Sequence, residues 1–287
     1  HEINSFHLHK ELEQFVNQTQ IPVVQLSLGK GAFNEENPYY MGIFDGSIAE
    51  QDIQDYVNQS DAILNIGAKL TDSATAGFSY QFDINDVIML NHNEFKINDT
   101  CIEAFSLPNI LNGLNKYIHY KNTNDFPQYE RPQAHNYELS DQPLTQETYF
   151  NMMQDFLQQD DILIAEQGTS FFGAYDLALY KDNTFIGNPV IFVINNDGYT
   201  VERMIHGMKE PYNDIRMWDY KSLPSVFGGD NVLVHDVNTS EELMLTFENI
   251  KSNSDRMHFV EVKMAVEDAP AKLSNIAKAF ASQNKSS

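Results

Sequence analysis

The 287-residue chain has few positive charges, a single cysteine and no long apolar run. Its 18 Lys and Arg residues against 41 Asp and Glu residues give a net charge of −23, which would repel the phosphates of nucleic acids and anionic lipids. Cys101 alone can form neither an intramolecular disulfide nor a cysteine-based zinc site. No segment approaches the roughly 18 apolar residues of a membrane span, and the first residues lack a signal-peptide pattern. We therefore expect a soluble cytoplasmic protein with no nucleic-acid or membrane partner.

Short apolar runs alternate with segments of helical periodicity. Seven runs rich in Val, Ile and Leu predict buried strands, at residues 22–28, 62–67, 87–90, 162–165, 190–194, 232–237 and 259–264. Apolar residues spaced three or four apart predict helices over residues 8–16, 149–157 and 273–280. The alternation predicts an α/β fold of two doubly wound domains with mostly parallel sheets.

Residues 121–143 differ from the rest because they contain three prolines and several asparagines but no apolar periodicity. We interpret this stretch as a linker. It predicts one domain over residues 1–120 and a second over residues 144–287.

The most informative segment is an apolar strand that runs into Asn195, Asn196, Asp197 and Gly198, with Glu202 in a helix beyond. Ligands of parallel sheets lie at the carboxyl ends of strands, where oxygen atoms suit a hard cation such as Mg²⁺. Asp-Gly between apolar runs is also a common hairpin signal, and a helical glutamate is most often solvated. The pattern therefore leaves a ligand turn and a hairpin open.

A second turn has a similar design, with Gly168, Thr169 and Ser170 between a predicted strand and a predicted helix. Backbone N–H groups and hydroxyls at a helix start could cradle a phosphate. The alternative is that a hydroxyl only caps the helix. By contrast, Gly29-Lys-Gly-Ala after the first strand is no convincing dinucleotide motif, because Asn34 replaces its third glycine.

Several motifs can be compared with a known family: Glu166-Gln-Gly-Thr-Ser-Phe-Phe-Gly-Ala174, Asn195-Asn-Asp-Gly-Tyr-Thr-Val-Glu202, Ile205-His-Gly207 and Tyr212-Asn-Asp-Ile215. Together they resemble the thiamine diphosphate-dependent 2-oxo acid decarboxylases, especially the indolepyruvate and branched-chain 2-oxo acid branch. Gly29-Lys-Gly-Ala-Phe33 and Lys69-Leu-Thr-Asp72 look like the middle domain of that family, which binds no nucleotide. The resemblance thus covers nearly the whole chain.

The resemblance implies a role for individual positions. The Asn196 side chain and the Gly198 carbonyl match ligands of the family's Mg²⁺, while Gln167, Gly168 and Thr169 match the surroundings of the cofactor diphosphate. Glu202 matches the catalytic carboxylate that faces the reacting carbon, a role suited to a buried acid of raised pKa. Substrate-pocket positions are matched by Ser73, Gln167, Phe171, Val201, Ile205, Ile276 and Phe280, whose apolar members have core packing as the alternative.

The small side chain of Ser73 stands where some relatives carry an aromatic residue. We therefore hypothesise a roomy pocket. The implied reaction, that of a carboxy-lyase, is non-oxidative decarboxylation of an indolepyruvate-, phenylpyruvate- or branched-chain-type 2-oxo acid to an aldehyde and CO₂. Because the family's site spans two subunits, a homodimer or homotetramer is implied.

The chain also departs from the family. It has no Gly-Asp-Gly-Ser motif, which supplies the metal-binding aspartate, and Ile186-Gly187 is followed at once by Asn188-Pro-Val. The N-terminal domain, which supplies a second glutamate and a histidine pair, is also missing. The residues present would be inactive alone. We expect residues omitted between Gly187 and Asn188, with a genuine deletion as the alternative. The rival functions are a non-catalytic assembly module and a thiamine-dependent carboligase.

Overall fold

The computed structural model describes residues 1–92, 94–98, 100–102, 106–131, 137–159, 161–165, 168–180, 190–229, 231–253 and 256–283. The chain forms two compact units. Unit 1 consists of His1–Arg131, Leu179–Lys181 and Ser282–Ser287, and unit 2 consists of Pro132–Ala178 and Asp182–Ala281. The division at Arg131 lies inside the stretch that we interpret as a linker. None of the described helices is long and apolar enough to cross a membrane.

Unit 1 contains four α-helices and six strands among its described residues. The helices are α1 (Glu2–Phe6), α2 (His9–Thr19), α3 (Gln51–Asn58) and α4 (Leu107–Tyr117). The strands are β1 (Val23–Gln25), β2 (Tyr40–Ile43), β3 (Ile63–Ile66), β4 (Val87–Asn91), β5 (Glu94–Ile97) and β6 (Thr100–Ile102). Strands β1 and β2 form a parallel pair, while β3 to β6 form a second sheet that is parallel at β3–β4 and antiparallel beyond.

The core of unit 1 forms where amphipathic helices cover these sheets. Leu12 and Val16 of α2, at the helical spacing that the sequence predicts, are buried with Leu107 and Leu111 of α4, a helix that was not predicted. Pro108 stands in the first turn of α4, where its missing N–H costs no helical hydrogen bond. The amphipathic faces thus fix α2 and α4 against each other and against β4.

Unit 2 contains six helices and three strands in its described part. The helices are α5 (Gln146–Phe156), α6 (Thr169–Ala174), α7 (Thr200–His206), α8 (Leu223–Val226), α9 (Ser240–Ser252) and α10 (Ala271–Gln283). The strands β7 (Val190–Asn195), β8 (Val232–Val237) and β9 (Met257–Lys263) form a parallel sheet in the order β7-β9-β8. A capping box starts α9, because Thr239 and Glu242 satisfy each other's backbone N–H groups.

One face of this sheet carries the core of unit 2. Phe192 and Ile194 of β7 lie beside Val260 and Val262 of β9, and these residues pack with Tyr149 of α5. Alternating residues of the strands point to the opposite face, where Glu261 and Lys263 stand. Asn195 pairs with Lys263 and Val193 with Glu261, so the carboxyl end of β7 lies beside these two charged residues, while Ile191 and Phe259 make the rest of this face apolar.

Six of the seven predicted strands exist, and the α/β fold with mostly parallel pairing is confirmed. The strand predicted at residues 162–165 is wrong, because residues 161–165 form no ladder and Ile164 is 88% exposed. An apolar run becomes a strand only where a neighbouring edge is available, and none of the described strands offers one here. Strands β2, β5 and β6 were not predicted, since Gly42 interrupts the first and the residues of β6 are exposed.

Candidate active site

The carboxyl end of β7 turns sharply before α7. We call Asn195, Asn196, Asp197 and Gly198 the asparagine turn. Asp197 and Gly198 have positive φ angles of 54° and 140°. A Cβ atom on Gly198 would lie 2.6 Å from Nη2 of Arg203 and 2.7 Å from the carbonyl oxygen of Asn213. Both the backbone angle and the close neighbours therefore require glycine at this position, and the hairpin alternative is wrong because a helix follows.

The guanidinium of Arg203 donates hydrogen bonds that hold the asparagine turn in place. Its Nη2 donates to the carbonyl oxygens of Asp197 at 3.4 Å and Asn213 at 3.3 Å, and to Oδ1 of Asp214 at 2.7 Å. Its Nη1 donates to the carbonyl oxygen of Met208 at 3.2 Å. The arginine is 8% exposed, so these contacts form largely out of water, where unpaired carbonyls would be costly.

Asn213 adds two hydrogen bonds to the same network. Its carbonyl oxygen accepts from the N–H of Tyr199 at 3.1 Å, and its Nδ2 donates to the carbonyl oxygen of Gly207 at 3.1 Å. Asn213 is fully buried. Three motifs that the sequence singled out, at residues 195–202, 205–207 and 212–215, therefore meet in one structure. Neither Arg203 nor Asn213 was predicted as a site residue, and the only hint was that Asn213 belongs to one of the motifs.

Two further bonds tie the turn to the neighbouring chain. Nδ2 of Asn195 donates to Oε1 of Glu261 at 2.6 Å, and this carboxylate on β9 is 4% exposed. Thr200, the first residue of α7, donates its hydroxyl to the carbonyl oxygen of Val266 at 2.8 Å. Asn196 is 7% exposed and follows Asn195 directly. The backbone around Asn196 is thus fixed from both sides.

Glu202 lies in α7, four residues after Gly198, but it is not buried. Its side chain is 45% exposed, and its Oε2 lies 3.4 Å from Nε2 of His206, one helical turn further on. The expected burial of this acid is wrong for the described chain, because none of the described residues covers the outer face of α7 here. Val201 and Ile205, the predicted pocket walls beside Glu202, are half-buried.

The second turn leads into α6. Gly168 is the residue before the helix, Thr169 is buried, and among the described residues no side chain caps the helix start. The capping alternative for Thr169 therefore has no support here. No hydrogen bond between Thr169 and Asn196 is found among the described residues. Gln167 and the junction of Gly187 with Asn188 lie outside the described residues.

The remaining predicted pocket residues lie in different surroundings. Phe171 is half-buried, with its ring 5.3 Å from that of Tyr175. Ile276 is 2% exposed, as the core-packing alternative expects, while Phe280 is half-buried. Ser73 belongs to unit 1, where it is exposed and its N–H donates to Oδ1 of Asp72 at 2.8 Å.

Comparisons with known proteins bear on both units. Residues 1–109 match the model of the thiamine pyrophosphate enzyme central domain. Pyruvate decarboxylase isozyme 3 of Saccharomyces cerevisiae is 28% identical over 96% of this chain and 59% of its own length. Pyruvate decarboxylase of Candida glabrata is 29% identical over the same shares. The chain is thus similar to a thiamine pyrophosphate enzyme over its first 109 residues and to pyruvate decarboxylases over most of its length.

The decarboxylase fold is also found by structural similarity. Benzoylformate decarboxylase from Polynucleobacter necessarius superposes with a TM-score of 0.69 at 13% identity, over 92% of this chain and 60% of that one. The chain spans about three fifths of the length of these relatives. The alignment with the Saccharomyces enzyme covers 334 positions, so that relative has at least 47 positions with no counterpart among these 287 residues.

Thiamine diphosphate and Mg²⁺ are the usual cofactors of the decarboxylase family. The asparagine turn supplies oxygen atoms of the type that Mg²⁺ prefers, from the Asn196 amide and the Gly198 backbone. The described residues contain no cluster of three or more His, Cys, Asp or Glu side chains that could hold a metal. The oxygen atoms of the turn are thus of the right type for part of a Mg²⁺ site, and the described residues offer no acidic cluster that would supply the rest.

Proposed function

We propose that this chain is part of a carboxy-lyase that converts a 2-oxo acid to an aldehyde and CO₂ without oxidation. The observation that carries the proposal is the asparagine turn, a glycine-requiring backbone at the carboxyl end of a parallel strand with Glu202 in the helix that follows. Parallel α/β sheets bind ligands at this edge. The similarity to pyruvate decarboxylases over 96% of the chain supports the same reaction class.

In this proposal the Asn196 amide oxygen and the Gly198 carbonyl hold Mg²⁺, and Gly168, Thr169 and Gln167 surround the diphosphate. Bound thiamine diphosphate would supply the electron sink for the electron pair of the C–C bond that breaks when CO₂ is released. The role of this chain is to hold the two ligand oxygen atoms in place. Arg203 contributes to this because its hydrogen bonds fix the backbone of the asparagine turn. Ligand atoms on a rigid turn need no reorganisation on binding, which atoms on a mobile turn would require.

Glu202 is proposed to hold and move a proton at Oε2. Its neighbour His206 lies 3.4 Å away and can exchange hydrogen-bond roles with it. The proposed substrates are bulky 2-oxo acids of the indolepyruvate, phenylpyruvate or branched-chain type, the class that the motifs at residues 166–174 and 195–202 resemble. A decarboxylase that turned over pyruvate far better than phenylpyruvate would contradict this substrate class.

The proposed assembly is a homodimer or homotetramer in the cytoplasm. The low cysteine content agrees with a reducing compartment. Size-exclusion chromatography with light scattering measures the assembly directly, and a monomer at micromolar concentration would contradict it.

A second candidate function is a non-catalytic assembly module. It is favoured by the 45% exposure of the Glu202 side chain and by the absence of the metal-binding motif from the sequence. Titration of the natural protein, with every residue that accompanies this chain in it, with thiamine diphosphate and Mg²⁺ separates the two proposals. Saturable binding with aldehyde release from phenylpyruvate supports the decarboxylase, a 2-hydroxy ketone supports a carboligase, and no binding supports the module.

The role of Glu202 is tested by Glu202→Gln, which keeps the shape but removes the titrating proton. We expect aldehyde formation to fall by about 10²- to 10⁴-fold, the usual contribution of a general acid or base. Calorimetric binding of thiamine diphosphate should change little. Glu210→Gln, at an exposed residue with no described side-chain hydrogen bond, is the matched control. Equal turnover in both variants would remove Glu202 from the mechanism.

A further inference from the structure

One surface segment of unit 2 is rich in exposed apolar side chains that the proposed function does not use. We call residues 212–227 the aromatic segment. Six of its residues are large apolar side chains that are exposed to solvent: Tyr212, Ile215, Met217, Trp218, Val226 and Phe227. A single exposed apolar residue is ordinary, but a group of them indicates a surface that binds another protein.

The aromatic segment is fixed to the rest of unit 2 at several points. Asn213 is fully buried, and its carbonyl oxygen accepts from Nη2 of Arg203 at 3.3 Å. Lys221 donates to Oδ2 of Asp236 on β8 at 2.5 Å. Between these anchors, residues 214–219 are all exposed. A segment that is held in this way loses less conformational entropy when a partner binds to it.

The residue types of the segment are those that dominate protein–protein interfaces. Tyr212, Arg216 and Trp218 are exposed, and Tyr, Arg and Trp are the residues most enriched at interface hot spots. The ring of Trp218 lies 6.3 Å from that of Tyr220, so the indole is supported on one side. This composition favours a protein surface as the occupant.

The exposed apolar area approaches the size that a stable interface needs. A Tyr, Trp or Phe side chain buries roughly 150–250 Å² when it is covered. Tyr212, Trp218 and Phe227 are 63%, 64% and 82% exposed, which corresponds to roughly 300–500 Å² for the three. The other exposed side chains of the segment bring this area towards the roughly 600–1,000 Å² that each partner contributes to a specific interface.

The charge of the segment favours a second copy of the chain as the partner. The 287 residues carry a net charge of −23, so two copies repel each other over most of their surfaces. Within the aromatic segment, however, Asp214 and Asp219 are balanced by Arg216 and Lys221, and the net charge is zero. Because acidic and basic residues alternate along it, two copies related by a two-fold axis can bring opposite charges together. A basic partner protein would instead be attracted to the acidic remainder of the surface.

We propose that the aromatic segments of two copies of this chain pack against each other about a two-fold axis, with Trp218 and Phe227 as the main apolar anchors. The proposal names the surface of the homo-oligomer that we propose above and rests on that assembly. It does not rest on decarboxylation or on thiamine diphosphate, because neither anchor has a role in the proposed reaction.

Sedimentation velocity of the natural protein, with every residue that accompanies this chain in it, tests the surface. We expect self-association at micromolar concentration. Trp218→Glu should weaken it by about 30-fold or more, the effect of losing a hot-spot residue. Leu245→Glu, at an exposed residue of α9 outside the segment, is the matched control and should leave the association unchanged. Phe227→Glu repeats the test at a second exposed position if Trp218→Glu does not fold.

The outcomes separate this surface from the proposed function. A protein that stays monomeric at micromolar concentration overturns the proposal, and so does an assembly that both glutamate variants of the segment leave intact. Aldehyde formation from phenylpyruvate is measured on the same samples. If the protein associates through the segment but forms no aldehyde, the surface is supported and the proposed function is contradicted.

A second measurement follows the fluorescence of Trp218, the single tryptophan of these 287 residues. Its emission is the difference between the spectra of the unchanged protein and of Trp218→Phe, which retains an apolar ring and should still associate. We expect this emission to shift to longer wavelength on dilution, because dissociation returns the indole to water. An emission maximum that does not change with dilution overturns the proposal, since Trp218 would then be covered within one copy or not covered at all.

Discussion

In unit 2 an apolar run, a turn with glycine and a short helix follow one another twice. The run that ends at Asn195 is paired with β9 along its whole length, and its turn is tied down by Arg203. The run at residues 161–165 has no strand partner in the described chain, and Ile164 is 88% exposed. The comparison shows that apolar composition favours a strand, while an available partner strand decides whether the segment pairs in a sheet.

The difference agrees with the shortened length of the chain relative to its decarboxylase relatives. Within the aligned region, at least 47 positions of the Saccharomyces enzyme have no counterpart in this chain. If those positions include a strand, its loss leaves neighbouring apolar segments without a partner, which is an aggregation hazard as well as a loss of burial. An intact mass of the purified protein well above 32.8 kDa would instead mean that residues are missing from the printed sequence.

The largest contrast is expected between Phe192→Ala and Ile164→Ala. Phe192 lies with its ring 6.2 Å from those of Tyr149 and Phe247, so truncation opens a hole in the core. We expect a loss of about 3 kcal/mol in the free energy of unfolding for Phe192→Ala and less than about 0.5 kcal/mol for Ile164→Ala. Urea unfolding monitored by circular dichroism measures both. A cost at Ile164 as large as at Phe192 would mean that residues 161–165 are paired in solution.

Arg203→Met comes next, because it removes four hydrogen bonds but keeps an apolar stem. The carbonyls of Asp197, Asn213 and Met208 lose a donor, although the partner Asp214 is well exposed and regains water. We expect unfolding to be easier by about 2 kcal/mol. Arg216→Met, at an exposed residue without a described ion pair, should stay within about 0.5 kcal/mol, and similar losses in both would refute the role of Arg203.

Gly198→Ala tests the turn itself. The new Cβ would lie 2.6 Å from Arg203 and would hold a φ of 140° that alanine rarely adopts. A cost of about 2 kcal/mol is expected. Gly228→Ala also has a positive φ of 80° but meets no atom within 4 Å, so its cost should be about 1 kcal/mol. Thermal unfolding of the two variants separates steric crowding from backbone strain, because only Gly198→Ala adds crowding. If both variants lowered the melting temperature equally, backbone strain would account for the whole destabilisation.

The strands of unit 2 were largely predictable from the sequence, whereas the hydrogen bonds that hold the asparagine turn were not. Strand β8 is rich in Val and Leu, a composition that favours a strand of a parallel sheet, although only Val237 of it is buried. Arg203 gave no comparable signal, since its value comes from carbonyls up to ten residues away that only the folded turn brings near. The exposure of Glu202 was equally hidden. It depends on which elements cover α7, and no pattern within α7 encodes them.

The smallest effect is expected from the histidine pair of the sheet. His258 is fully buried, and its Nε2 donates to the carbonyl oxygen of Asn253 at 3.1 Å, so its Nδ1 accepts from Nε2 of His235 at 3.0 Å. Burial, and then the neighbouring His258, lower the pKa of His235.

Because the unfolded chain binds this proton more readily than the folded one, stability should fall as the pH drops below about 6.5, the ordinary histidine pKa. The decline continues down to the lower pKa of folded His235 and then levels off. His235→Gln retains a donor at the same place without the titration. Its unfolding free energy should therefore vary less between pH 7 and pH 5 than that of the unchanged chain, as measured by urea titration at each pH. If the unfolding free energy varied equally with pH in the two proteins, groups other than this histidine pair would set the acid sensitivity of unit 2.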